Sequence, residues 1–378
     1  MSETQPDPHR LPAVYLAPGP YAGGTAWPAG PPPGWHPGRY PRGPQWGDAA
    51  WGSSPWGGLP AAWGGPVWGG AAWGPPARTR WDVPPPPGTP YDQMARTVLN
   101  RWWRPIVGTL AIVATFVVIS IGAGLVAYLV SLVTRVPMTG SGPRLFADPV
   151  LDLGFQLGVI ALLLPLVLGA AWVFQRRPPG SLSSVALRLR WRWLAACLLV
   201  AVVSVVLGQA AEAGMLLSAG VGPGYGWAGW GAFLPALIVI LLLVPFQAAA
   251  EEYAYRGWII QGLGAYFRSP WPAILLGAVA FAASHGYTGW GIVYVFVFGV
   301  LMGWLAVRTG GLEAPIALHA SNNVVAFGLV AASGDMNGAL EQGAVPWQAL
   351  IGSAVQFAVF GFGVLIIARK WAIQTLSR

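Results

Sequence analysis

"LPALIVILLLVPFQAAAEEYAYRGWIIQG", residues 234–262, opens as a nearly unbroken apolar run through residue 245 and closes with three charges, Glu251, Glu252 and Arg256. About 20 apolar residues in a helix cross the roughly 30 Å of hydrocarbon in a bilayer. The run therefore reads as a membrane helix. An ionised side chain at the centre of such a helix costs at least about 2.5 kcal/mol, so intramembrane charges point to function by default.

The rest of the chain fits that reading. Of 378 residues, 55% are hydrophobic and 9% charged, where soluble proteins carry about 25% charged residues. The expectation is an all-α, polytopic transmembrane bundle of about eight spans, at residues 106–133, 153–174, 194–217, 233–263, 271–285, 292–307, 315–332 and 349–368. The formal net charge of +8 comes from arginines near helix ends. That placement suits an anionic lipid surface and gives no support for a nucleic-acid partner. Cys197 is the single cysteine, which excludes an intramolecular disulfide and leaves it a packing role. No cleaved signal peptide is expected, and the first membrane helix is expected to direct insertion.

Arginine placement tests the spans independently, because cytoplasmic loops are enriched in Lys and Arg. Arg101 and Arg104 precede the first span, and Arg176, Arg177, Arg188, Arg190 and Arg192 fill the second loop. Arg268, Arg308, Arg369 and Lys370 fall after the fourth, sixth and eighth spans. The opposite loops hold Arg135 and Arg144, with Asp148, Asp335 and Glu341. Both termini are expected to be cytoplasmic. Residues 1–90 form a low-complexity tail in which Trp recurs among Gly, Pro and Ala, a composition that opposes regular structure and a packed core. The tail reads as a disordered cytoplasmic spacer or as a site for a partner of unknown identity, with residues 91–378 as the membrane domain.

Helix geometry sorts the charges. Glu252 and Arg256 are four residues apart on one face and form a pair, whereas Glu251 points about 100° away. His285 and Glu251 each lie 17 residues from Arg268, so an antiparallel hairpin turning there brings them to comparable depth. In "PIALHASNN", His319 and Asn323 share a helix face. The remaining histidines, His9 and His36, lie in the tail. Glu212 and Glu313 lack such partners and read as loop-facing and interfacial carboxylates.

A carboxylic acid in low-dielectric surroundings holds its proton more tightly and so is better matched to general-base work at neutral pH. Glu251 and His285 can then deprotonate water. His319 and Asn323 can donate hydrogen bonds to a carbonyl oxygen that gains negative charge, a contribution of about 2.7 to 4 kcal/mol per donor. Glu251, His285 and His319 are equally a legal zinc set with an open position. The residues leave metal-free and Zn2+-dependent hydrolysis both open. HExxH, GxSG and GxGD, the marks of other membrane proteases, are absent from the spans.

Three motifs in order now complete a pattern. "EEYAYR" (251–256) fits EExxxR, "FAASH" (281–285) fits FxxxH, and "HASNN" (319–323) fits HxxxN. Together they resemble the CPBP family of intramembrane proteases, also called the ABI or type II CAAX prenyl endopeptidase family, over residues 233–332. The resemblance implies that Glu251 and His285 activate water, that His319 and Asn323 stabilise the oxyanion, and that Glu252 and Arg256 support the site. It implies an endopeptidase, glutamate- or metal-dependent, in a bacterial cell membrane, with a membrane-associated protein or peptide as substrate. Two rivals stay open: a non-catalytic scaffold or immunity-type protein on the same fold, and a transporter or proton relay, although no internal inverted repeat is visible.

Overall fold

The computed structural model describes residues 80–139, 144–221, 226–336, 339–340 and 342–378, all within the compact unit Trp73–Arg378. Its helices are α1 (Trp103–Thr134), α2 (Pro149–Ala161), α3 (Leu163–Val173), the short α4 (Gly180–Ser183), α5 (Trp191–Ser218), α6 (Trp230–Glu252), α7 (Ile260–Gly264), α8 (Trp271–Ala283), α9 (Trp290–Thr309), α10 (Glu313–Ser333) and α11 (Gln348–Lys370). A π-helical segment, Tyr253–Ile259, joins α6 to α7. Two-residue strands β1 (Thr288–Gly289) and β2 (Ala344–Val345) pair in parallel.

Seven runs among the described residues are long and apolar enough to cross a membrane, and the molecule is a helical membrane bundle. Two spans depart in detail from the sequence reading. Residues 153–174 are two helices, α2 and α3, because Pro165 has no N–H to give the Ala161 carbonyl, and α2 ends there. Residues 271–285 yield only α8, 13 residues or about 20 Å. The Ser284 hydroxyl donates to the Phe281 carbonyl at 2.7 Å, and the His285 ring uses the same oxygen at 2.7 Å. The helix stops in that knot. His285 thus lies two residues past the helix rather than inside it. The chain continues as a loop, whose Gly286 N–H donates to the Gln342 side chain at 2.6 Å, into β1.

Small residues set the closest helix contacts. A Cβ on Gly208 would stand 2.9 Å from the Gly352 carbonyl oxygen, and one on Gly352 would stand 2.7 Å from that of Gly208, so the backbones of α5 and α11 touch. α10 packs against α5, α6 and α9. Every residue from Glu313 to Ser321 is buried, which puts its polar side chains inside the bundle. α1 is the opposite case. Of its residues only Gly108, Ile112 and Ala127 are buried, and Val118, Ile121 and Leu125 face outward, as a lipid-facing helix requires.

One end of the bundle gathers the basic loops. Ser184 pairs with Gly311 and Pro90 with Leu376. The Arg190 guanidinium donates to Glu313 at 2.7 and 2.8 Å and to the Gln374 carbonyl at 2.8 Å. Glu313, read as lacking partners, is therefore a fully buried half of an ion pair. Gly310, at φ +71°, ends α9 in a left-handed turn against Gln374 and Thr375, where a side chain would be strained. Arg96 donates to the Ala265 carbonyl at 2.7 Å, and the Tyr91 hydroxyl donates to Leu182 O at 2.6 Å, its pKa raised well above the usual phenol value by burial. Residues 80–90, read as the last part of the disordered tail, are docked here instead. Trp81 donates to the Trp172 carbonyl, Arg176 lies over the Trp81 ring, and Gly88 donates to Ser377 O. These aromatic and backbone partners come from segments distant in sequence, which composition does not see. Residues 1–79, which carry the rest of that reading, and Glu341 lie outside the described residues.

Candidate active site

Glu251 and Glu252 close α6, and the π-helical turn follows at once. Such turns occur mostly as single-turn insertions and often at functional sites. Glu252 is fully buried and pairs with Arg256 at 2.9 Å, as the four-residue spacing requires. The Arg256 guanidinium also lies over the Phe281 ring, 4.1 Å from its centre. What spacing could not give is the second partner of Glu252: the Nδ1 of His319, on α10, donates to its Oε1 at 2.6 Å. The other ring nitrogen, Nε2, stands 3.6 Å from Glu251 Oε2. His319 thus sits between the two carboxylates, although their side chains leave α6 in different directions.

Glu251 is held by one oxygen only. Its Oε1 accepts from the Gln247 amide at 2.7 Å, while Oε2 is buried with no hydrogen-bond partner. Gln247 Oε1 in turn accepts from Asn323 Nδ2 at 3.2 Å. Asn322 accepts from Gln356 on α11 at 3.1 Å and from the Tyr294 hydroxyl of α9 at 3.4 Å, and donates to Asn323 at 3.4 Å. The carbonyl of Phe281 can only accept, so His285 carries a proton on Nδ1. Its ring packs on Phe281, with centres 4.4 Å apart.

A cavity of about 190 Å³ collects these groups. Glu251, His285, His319 and Asn323 all line it, together with Gln247, Tyr287 and Asn322. The four residues expected to meet do meet around one hollow, while Glu252 and Arg256 lie behind it. Among the described residues, no hydrogen bond joins His285 to either glutamate. The remaining walls include Leu157 and Ile160 of α2 and Ala339, Leu340 and Gln342 of the α10–α11 connection. No basic-end loop contributes. The cavity therefore extends from mid-bundle toward the end opposite the arginines.

Among the described residues, no three His, Cys, Asp or Glu side chains stand close enough to share an ion. The Nδ1 atoms of His319 and His285 are engaged by Glu252 and by a carbonyl, which leaves Nε2 of each ring as the nitrogen turned to a ligand.

Sequence reasoning passed over Gln247, Asn322, Tyr294 and Gln356. Gln247 had a signal, as the sole polar side chain in residues 234–250. Asn322 sits beside the motif asparagine. Tyr294 and Gln356 lie outside every motif and become visible only when α9 and α11 pack on α10.

The chain is a polytopic helical membrane protein whose polar side chains converge on one interior cavity. Residues 230–325, the segment that holds all three motifs, match the family model for type II CAAX prenyl endopeptidase Rce1-like proteins. Over 240 residues the chain is 24% identical to the uncharacterized protein YyaK of Bacillus subtilis, covering 60% of this chain and 77% of that protein. No solved structure matches it. The domain match supports an intramembrane protease role of the CAAX-protease kind.

Proposed function

We propose that the chain is an endopeptidase that hydrolyses a peptide bond of a membrane-associated protein or peptide, with water activated by Glu251 and His285. The observation that carries this reading is the bare Glu251 Oε2, buried, without a hydrogen-bond partner, and beside the cavity lined by both histidines and Asn323. Irregular backbone at membrane depth is tolerated where it lines a cavity, and the loop carrying His285 and Tyr287 does so.

In this reading water enters between Glu251 and His285. Glu251 Oε2 takes its proton while the water oxygen bonds to the scissile carbonyl carbon. The carbonyl oxygen, now negative, accepts from Asn323 Nδ2 and from His319. The His319 Nδ1–H is committed to Glu252, so donation to this oxygen falls to Nε2. The carbon–nitrogen bond then breaks, the proton passes from Glu251 to the leaving amine, and a carboxylic acid, which keeps the second proton of the water, and an amine result. No step is routed through a metal.

We assign residues 91–378, with the docked residues 80–90 before them, to the protease domain and the preceding residues to a tail, with the basic end and both termini facing the cytoplasm of a bacterial cell membrane. The test compares membrane proteomes of cells carrying the native chain or Glu251→Gln. Fragments present with the native chain and missing with the variant are expected. Identical fragment sets at equal protein levels would overturn hydrolysis in favour of a scaffold.

A further inference from the structure

The site contains a train of amides whose direction is fixed by chemistry. An ionised carboxylate only accepts, so Gln247 must turn its NH2 group to Glu251, at 2.7 Å. Its oxygen then faces α10 and requires a donor, which Asn323 Nδ2 supplies at 3.2 Å. The Asn323 oxygen is thereby turned to Asn322 Nδ2, at 3.4 Å. The Asn322 oxygen receives Gln356 Nε2 at 3.1 Å and the Tyr294 hydroxyl at 3.4 Å. Every donor in the series points the same way, from α11 and α9 through α10 to α6, and the series ends on one oxygen of Glu251.

We infer that Gln247 is a positioning residue that locks the base and the oxyanion donor into a single geometry, and that Asn322 and Gln356 set its orientation from behind. This rests on the hydrolytic reading of the cavity. Two consequences follow from the bonds alone. Gln247 engages Oε1 of Glu251, so the oxygen without a hydrogen-bond partner, Oε2, is the one turned toward His319. Gln247 also takes one hydrogen of the Asn323 amide, leaving the other for a carbonyl oxygen. Hydrogen-bonded chains in low-dielectric surroundings polarise their members, so the remote amides strengthen the final donor. The arrangement ties α6 to α10 at the point where the two halves of the reaction must register.

The test has two arms on the full chain in detergent. In the first, glutamine side chains carry 15N, and the Gln247 NH2 signal is assigned by its loss in Gln247→Met. A downfield proton held by a carboxylate is expected, shifting in Glu251→Ala and also in Asn322→Leu, which leaves Glu251 in place. A Gln247 signal unmoved by either change would overturn the proposal. In the second arm, turnover is measured on a peptide spanning a cleavage site found in the proteome comparison. Gln247→Met should lower kcat about ten- to a hundredfold, the range for a hydrogen bond to a charged group, with KM unchanged. Should Gln247→Met fail to fold, Gln247→Leu serves, since it likewise removes the donor to Glu251. Native kcat in the folded variant would overturn the positioning role. A native chain with no turnover but the full spectral signature would sink hydrolysis while supporting the amide train.

Discussion

Two adjacent glutamates do opposite jobs. Glu252 is fully buried and shared by Arg256 and His319, and removing one partner of a buried pair strands the other charge at a cost of about 3 to 5 kcal/mol. Glu252→Gln should therefore lower the thermal midpoint sharply in detergent. Glu251 has one hydrogen bond and one bare oxygen, so Glu251→Gln should keep a near-native midpoint while fragments disappear. Equal midpoints for the two variants would contradict this division. Motif spacing was enough to pair Glu252 with Arg256 and to align His319 with Asn323, because both are contacts within one helix. It could not show that His319 enters between the two carboxylates, since that depends on the packing of α10 against α6.

At the scale of elements, the site depends on a contact far from its chemistry. α5 and α11 meet at Gly208 and Gly352, where an added Cβ on Gly352 would lie 2.7 Å from both the Gly208 oxygen and the Glu212 Cβ. Overpacking of this kind costs about 1 to 3 kcal/mol. Gln356 is one turn further along α11, so Gly352→Ala should both destabilise the bundle and weaken the bond to Asn322. A melting curve checks the first effect. The glutamine spectrum checks the second. Hydropathy made the long spans legible, but it averages over breaks. Pro165 was visible and marks the end of α2, and "SHGYTG" after Ala283 is polar enough to show why α8 stops early. A window tuned to about 20 residues merged both into neighbouring runs.

For the whole molecule, the arginine pattern was the most informative global signal. The loops it grouped are joined in the fold, through Ser184 with Gly311, Pro90 with Leu376 and Arg190 with Gln374. The depth of the cavity was not legible, because it depends on how far α8 falls short and where the α10–α11 connection folds over. Sidedness is open to direct measurement, since Cys197, the single native thiol, is buried. Val98→Cys at the basic end and Ala344→Cys in β2 should react with an impermeant thiol reagent from opposite faces. Intact cells are expected to label Ala344→Cys alone, and permeabilised cells both. Labelling of both in intact cells would contradict the arrangement of the bundle across the membrane.

The cavity is backed by the buried Glu252 and Arg256 and is walled by residues leading away from the basic end. In the proposed hydrolysis both fragments would leave by the mouth through which the substrate enters, and slow departure of either would show as inhibition by product.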